Sequence, residues 1–335
     1  MDGHADTSSV HRIEYPVDWP PGHVASYLVE CEDTLTLVDA GMPGPQCESV
    51  LRGALADRNF DVADLDCLVL THPHVDHVGQ VGTVLDEADP TVYVPAGVGD
   101  RFERDLDDLE TAVRETATAA GLTDDQLEGA VSMAVESLRR NRGLLPPERV
   151  DHWVREGDPF EVGGTRVEPI HTPGHQADHC CYHLPESGVL VAGDMAIEPF
   201  RPVALHAGLD REVDEAIDAF YAALDRLDDL AETDDPRRVL PGHGPAHADL
   251  AGVVRRDRES LDRMLDRTVE AVRNADEPPS ALDVTEGRVR DRGIEYIVAE
   301  VVGALRHLES AGRLESETVD GVRRYSLPED ASPAP

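Results

Sequence analysis

The run Thr71-His72-Pro73-His74-Val75-Asp76-His77 constrains this chain more than any other part of it. It follows an apolar stretch, Leu65 to Leu70, that reads as a buried strand. A strand ending in HxHxDH lays out metal ligands. His72 and His74 are two residues apart on the extended chain and can point the same way. Asp76 and His77 come just past the turn and can face a second ion. Histidine together with carboxylate suits Zn²⁺ or another first-row transition metal.

Three further candidates follow in order. His175 closes His171-Thr172-Pro173-Gly174-His175, Asp194 closes the apolar run that starts at Val189, and His243 sits in Val239-Leu240-Pro241-Gly242-His243-Gly244. Each stands where a short apolar strand runs out into a Gly-containing turn. Loops on one rim of a sheet converge while the sheet holds them rigid, and α/β proteins build their sites there.

This set resembles the metallo-β-lactamase-fold hydrolases. The matching segments are HxHxDH at His72 to His77, PGH at Pro173 to His175, GD at Gly193-Asp194 and PGHG at Pro241 to Gly244, and Asp39-Ala40-Gly41 looks like the family's early D-x-G turn. The resemblance covers residues 10 to 250. It implies an α/β fold, a four-layer αββα sandwich. It also implies that His72, His74 and His175 hold one metal, that Asp76, His77 and His243 hold the other, and that Asp194 bridges them. The cofactors implied are two Zn²⁺ ions, with Fe or Mn as alternatives. Asp39 then buttresses a metal-binding histidine. His179 reads as a support beside the site or as strand packing.

The charge is extreme: 68 acidic residues against 30 basic ones give −38, and every basic residue is arginine. The acid is spread along the chain rather than gathered in a tail. That points to a halophilic protein, since self-repulsion is screened when the Debye length falls to about 3 Å in molar salt. An acidic protein seeking a cationic partner is the other reading. No apolar run approaches the roughly 18 residues that span a bilayer, so no membrane partner is expected. Met1 to Val10 is polar and acidic, unlike a signal peptide. Five cysteines with no CxxC pair suit a reducing, cytoplasmic location better than a disulfide framework.

A length of 335 residues suits one large domain and a small one. Residues 1–250 read as the catalytic domain. Strands are expected at His11 to Val17, His23 to Glu30, Thr34 to Asp39 and Thr91 to Val94, with helices at Cys47 to Arg58 and Val78 to Glu87. Residues 99–147 form a helical insertion, and Thr123 with Gln126 resembles a capping box at its second helix. Insertions at this point in the family often lie over the site, so a cap is expected. Strands resume at Asp151 to Ile170 and Asp178 to Asp194, with a hairpin turn at Pro185-Glu186-Ser187-Gly188. Val213, Ile217, Phe220, Leu224 and Leu227 form one apolar face of a helix. Residues 251–277 read as a linking helix. Residues 278–328, helices followed by a hairpin, resemble the winged helix of the β-lactamase-like protein 2 endoribonucleases. Thr172 to His179 also resembles that group. Residues 329–335 read as a disordered tail. So small a unit has a marginal core and is expected to dock on the catalytic domain or on a second chain, as a homodimer.

Two ions about 3.5 to 4 Å apart can share a hydroxide that attacks a carbonyl or a phosphorus. Asp194, holding both ions, and Asp76, orienting the hydroxide and moving its proton, are the catalytic candidates. The expected reaction is hydrolysis of a small-molecule carboxylic ester, thioester or lactone. The runner-up is a metal-dependent endoribonuclease or phosphodiesterase. Against it, residues 251–335 carry 13 arginines and 18 carboxylates, so no basic stripe emerges for nucleic acid. A single-iron, sulfur dioxygenase-like enzyme is the third reading.

Overall fold

A computed structural model describes residues 9–31, 33–288 and 294–328. A six-stranded sheet comes first. Its strands β1 (Ser9–Pro16), β2 (His23–Cys31), β3 (Thr34–Val38), β4 (Cys67–Val69), β5 (Thr91–Pro95) and β6 (His152–Val154) lie side by side in chain order. The first three are antiparallel, and β3 through β6 run parallel. A second sheet is built from β7 (Phe160–Val162), β8 (Thr165–His171), β9 (Cys180–Leu184), β10 (Val189–Gly193) and β11 (Arg238–Pro241). It is antiparallel except for its last pair, β10 with β11.

Parallel neighbours need crossovers, and helices supply them. Helix α1 (Pro45–Ala56) joins β3 to β4, and α2 (Val75–Val78) with α3 (Val81–Glu87) joins β4 to β5. The insertion α4 (Ala96–Phe102), α5 (Leu106–Ala120) and α6 (Asp124–Leu144) joins β5 to β6, and α7 (Ala216–Thr233) joins β10 to β11.

The strand period of two explains the layers. Ala25, Tyr27, Val29, Val38 and Val69 meet Cys180, Tyr182, Leu184, Val191 and Leu240 in one apolar seam between the sheets. The alternate residues, among them Leu28, Leu37, Leu68, Cys181 and Leu190, turn outward and pack with Leu51, Leu55, Ile217, Phe220 and Leu224 of the helices. Strands covered on both faces are apolar on both, which is why the run before His72 shows no alternation.

Two local expectations need correcting. The helix expected from Val78 to Glu87 is broken after Val78. A Cβ on Gly79 would lie 2.1 Å from the Met42 carbonyl carbon, and the Gly79 amide donates to Gly41 O at 2.7 Å. The Gln80 side-chain amide adds a bond to Met42 O at 2.6 Å. The break lets the loop at 41–44 close on the turn that carries His72 to His77. At α6, Thr123 is the N-cap but its hydroxyl caps nothing, because the Gln126 amide goes to the Thr123 carbonyl at 3.1 Å. Within the insertion α5 and α6 pack together, α6 touches α2, and α5 touches the C-terminal hairpin.

Beyond His243 come α8 (Leu250–Asn274), α9 (Ala281–Glu286), α10 (Ile294–Ser310) and the hairpin β12 (Glu315–Val319) to β13 (Val322–Ser326). Asp320 and Gly321, at φ 51 and 84, make its two-residue turn. Val298, Val301, Leu305, Leu308, Leu314 and Tyr325 join the same outer cluster as α7. Gly303 of α10 sits where a Cβ would meet Ala216 Cβ and Val213 O, both at 3.1 Å. The C-terminal elements close their core on α7. The expected tail at 329–335 lies outside the described residues.

Candidate metal centre

The ends of β4, β8, β10 and β11 open on one rim, and the seven expected side chains converge there. One ligand atom from each of His72, His74, His175 and Asp194 falls within 4.8 Å of the others, and Asp76, His77 and His243 form a second such group. His74 Nδ1 is 3.0 Å from His72 Nε2 and 3.1 Å from His175 Nε2. Asp194 Oδ2 lies 3.2 Å from His175 Nε2 and 3.5 Å from His243 Nε2, while its Oδ1 lies 3.2 Å from His77 Nε2. Asp194 thus touches both groups. Asp76 Oδ2 is 3.3 Å from His243 Nε2 and 4.0 Å from His77 Nε2.

The outward nitrogens fix the tautomers. His77 Nδ1 donates to Asp39 Oδ2 at 2.8 Å, His175 Nδ1 to Val203 O at 3.0 Å and His243 Nδ1 to His23 O at 2.9 Å. His72 Nδ1 is 3.0 Å from Thr71 Oγ, whose own proton goes to Asp39 Oδ2 at 2.9 Å. Each partner accepts, so each Nδ1 carries a proton and each Nε2 faces the centre, the atom a metal would use. His77 Nε2 and Asp194 Oδ1 are buried there without a well-formed hydrogen bond. Buried polar atoms left so poorly matched are costly, and a cation between them, taking the place of any proton on His77 Nε2, removes the cost. The donor set, four imidazole Nε2 atoms, the His74 Nδ1 and two carboxylates, fits divalent metal.

Family comparison agrees with this geometry: the profile described as the metallo-beta-lactamase superfamily matches residues 19–243. The chain belongs to the metallo-beta-lactamase superfamily. It is similar to the probable metallo-hydrolase YqjP of Bacillus subtilis (strain 168), 26% identical over 327 residues that cover 92% of this chain and 95% of that one. It is also similar to the atrochrysone carboxyl ACP thioesterase dmxR1 of Cryptosporiopsis sp. (strain 8999), 21% identical over 325 residues, covering 90% of this chain and 79% of that one. The crystal structure of the metallo-beta-lactamase family protein TTHA1429 from Thermus thermophilus shares the fold, with a TM-score of 0.76 at 24% identity over 95% of this chain and 98% of that one. The chain is a metal-dependent hydrolase of this superfamily.

In this superfamily member the histidines divide by protonation. Burial pushes His72 well below its ordinary value and His74 down to about 3, and neighbouring histidines add to both shifts. Burial also opposes charge on His77, but Asp194, Asp39 and Asp76 outweigh it and hold that imidazole well above the ordinary range. The same contest, won by Asp194 and Asp76, raises His243. Burial works against the ionised forms of Asp76 and Asp194 too, yet the surrounding histidines hold both low, Asp194 strongly so.

The supports answer the open questions about Asp39 and His179. Asp39, at φ 58, accepts from the Thr71 amide at 2.8 Å as well as from His77. His179 Nε2 accepts the Asp194 amide at 3.0 Å, and its Nδ1 is 2.7 Å from Thr172 Oγ. Gly193 is needed beside it: a Cβ there would stand 2.5 Å from His179 Nε2. Sequence reasoning missed the carbonyls of Val203 and His23, because any residue supplies a carbonyl. It also missed Thr71, whose place directly before the motif was the available signal. Among the described residues no helix is long and apolar enough to cross a membrane.

Proposed function

We propose that this chain hydrolyses a small carboxylic thioester, ester or lactone using two zinc ions, with iron or manganese as alternatives. The observation that carries the reading is Asp194, whose two oxygens reach His175 at 3.2 Å on one side and His77 at 3.2 Å on the other. His72, His74, His175 and Asp194 would hold one ion; Asp76, His77 and His243, with Asp194, would hold the other. When bound, the metal supplies Lewis acidity and lowers the pKa of water toward about 7. Asp76 is the base at hand: its depressed pKa keeps it ionised, and it can accept the proton of the attacking water and return it to the leaving group. His77 and His243 keep their Nε2 atoms inward through Asp39 and the His23 carbonyl.

Surface chemistry favours an acyl substrate over a nucleic acid. The hairpin and its supporting helix carry arginines, but each is bound to a carboxylate. Arg323 pairs with Glu309 at 2.8 Å, Arg324 with Asp283 at 3.3 Å, Arg313 with Asp266 at 2.8 Å and Arg306 with Asp214 at 3.0 Å. Polyanion binding draws on arginines free to meet phosphate. The thioesterase relative, by its name, acts on an acyl carrier protein thioester, which places thioesters first in the trial. The test is a panel of thioester, lactone, phosphodiester and single-stranded RNA substrates in molar salt with zinc-loaded protein. Turnover of an acyl substrate is expected. Turnover of RNA with none on acyl substrates overturns the reading, and fewer than one ion per chain after loading overturns the two-ion site.

A further inference from the structure

The segment after Asp194 wraps the His175 side of the centre and is held from behind by the C-terminal unit. Val203 O takes the Nδ1 proton of His175 at 3.0 Å. The His206 amide returns to Gly174 O at 2.9 Å and His175 O at 3.0 Å. The next residue after Val203 is clamped: the Ala204 amide donates to Glu300 Oε1 at 3.1 Å. Arg201 Nη2 donates to the same oxygen at 2.6 Å, and its Nη1 donates to Pro202 O at 2.7 Å. Arg288 Nη2 stands 3.8 Å from the other carboxylate oxygen. Earlier in the segment, Arg256 of α8 donates to Ile197 O at 2.6 Å. Glu300 and Arg201 are both buried, with side-chain exposures of 7% and 8%.

A carboxylate buried at α10 needs a reason, since desolvating an ion pair is costly before any attraction returns the loss. Hydrophobic packing of α10 on α7 already docks the unit. What the ion pair adds is direction: it fixes the peptide planes from Pro202 to Ala204. The Val203–Ala204 peptide is one rigid plane, with its amide on Glu300 and its carbonyl on His175. Rotating that plane breaks both bonds at once.

We propose that Glu300 of the C-terminal unit is a positioning residue for the metal centre, holding the Val203–Ala204 peptide so that its carbonyl keeps the His175 Nε2 lone pair on the ion. This rests on the reading of His175 as a metal ligand. Glu300 acts through a peptide and touches neither metal nor substrate. The C-terminal unit is then part of the site's construction, with the 195–206 segment as the shared wall.

The test uses the full chain in molar salt. Cobalt and zinc binding are titrated against a chelator for wild type, Glu300→Ala, Glu300→Asp, Glu300→Gln and His175→Ala, with folding checked by circular dichroism. Glu300→Asp keeps the charge and the Arg201 pairing but draws the carboxylate away from the Ala204 amide, so it reads the clamp even where Glu300→Ala does not fold. The expected result is a loss of about tenfold in affinity for one of two ions, the low end for groups that orient metal ligands. The other ion keeps its affinity, and the cobalt spectrum changes as it does in His175→Ala. Glu300→Gln retains an acceptor for Ala204 and is expected to restore most of the affinity. A merely structural role would lower the melting temperature and leave both ions alike. Folded Glu300→Asp binding both ions as wild type does, while His175→Ala loses one, overturns the proposal alone. His175→Ala binding both ions unchanged overturns the ligand assignment and this proposal with it.

Discussion

The two ligand groups are close neighbours with opposite proton inventories. His72 and His74 are held neutral by burial, so their lone pairs are available across the ordinary pH range. His77 and His243 lie among Asp39, Asp76 and Asp194, which favour a second proton on each ring in the metal-free protein. The first group can take an ion without displacing a proton from these two rings. The second must give protons up. On the proposed two-ion reading, one fold would prepare two sites for the same kind of ion by different means, burial in one and carboxylate pairing in the other.

Removing the shared residue should erase the difference altogether. Asp194→Ala is expected to lower kcat/KM by about a thousandfold or more, roughly 4 kcal/mol of transition-state stabilisation, while circular dichroism stays unchanged. Near wild-type turnover of a verified substrate would contradict the bridging role. A smaller effect should be confined to the second group. Asp39→Asn leaves His77 Nδ1 an acceptor but removes a charge, and about a tenfold loss is expected for one ion, read by chelator competition. Equal losses at both ions would mean that Asp39 supports the whole rim through Thr71 rather than His77.

Acidification sharpens the contrast. Between about pH 5 and 7, affinity at the second group should fall by up to about tenfold per unit for each proton displaced, more steeply than at the first group, where His72 and His74 have no proton to give up. The signs in the metal-free protein follow from the same shifts. His77 is raised, so its pairing is fully stabilising below the unfolded value of 6.5 and fades as pH rises through the folded value. Asp194 is lowered, so its contribution is full above 3.8 and is lost as pH falls through its folded value. His72 and His74 oppose the His77 trend, losing stability as pH falls below 6.5. Melts of metal-free wild type and His77→Ala across this range test the sign. The mildest effect on the comparison is that of salt. With a net charge of −38 and no lysine, the melting temperature should be higher in about 2 M than in about 0.1 M KCl. An unchanged or lower value contradicts the halophilic reading.

Legibility followed chemistry and distance along the chain. His72 to His77 could be read because covalent spacing alone brings those side chains together. His175, Asp194 and His243 could be read because each ends an apolar strand at a glycine turn. The break at Gly79 was hidden, since it is imposed by Met42 and Pro43 across the fold. The helices of the insertion were visible in their period, but not that α6 lies against α2 and α5 against the hairpin. The C-terminal elements were visible too. That they dock was expected from the unit's size, but α7 as the partner was not, because Val301 and Leu305 look the same whether they pack on each other or on α7.

The turn that carries His243 is sewn to the opposite end of the chain. His243 Nδ1 bonds His23 O across 220 residues, Tyr27 Oη donates to Pro241 O at 2.7 Å, and the Ala25 amide donates to Gly242 O at 2.7 Å. Contacts of such separation form late and slowly. During synthesis the His72–His77 segment leaves the ribosome long before residue 243 exists. An ion captured then would meet only half its proposed ligands, on a first sheet whose β2 still waits for the turn that will bond it at Ala25 and Tyr27. On the proposed ligand assignment, metallation would wait for residue 243, and a chain truncated before it should hold metal loosely even where its first sheet has formed.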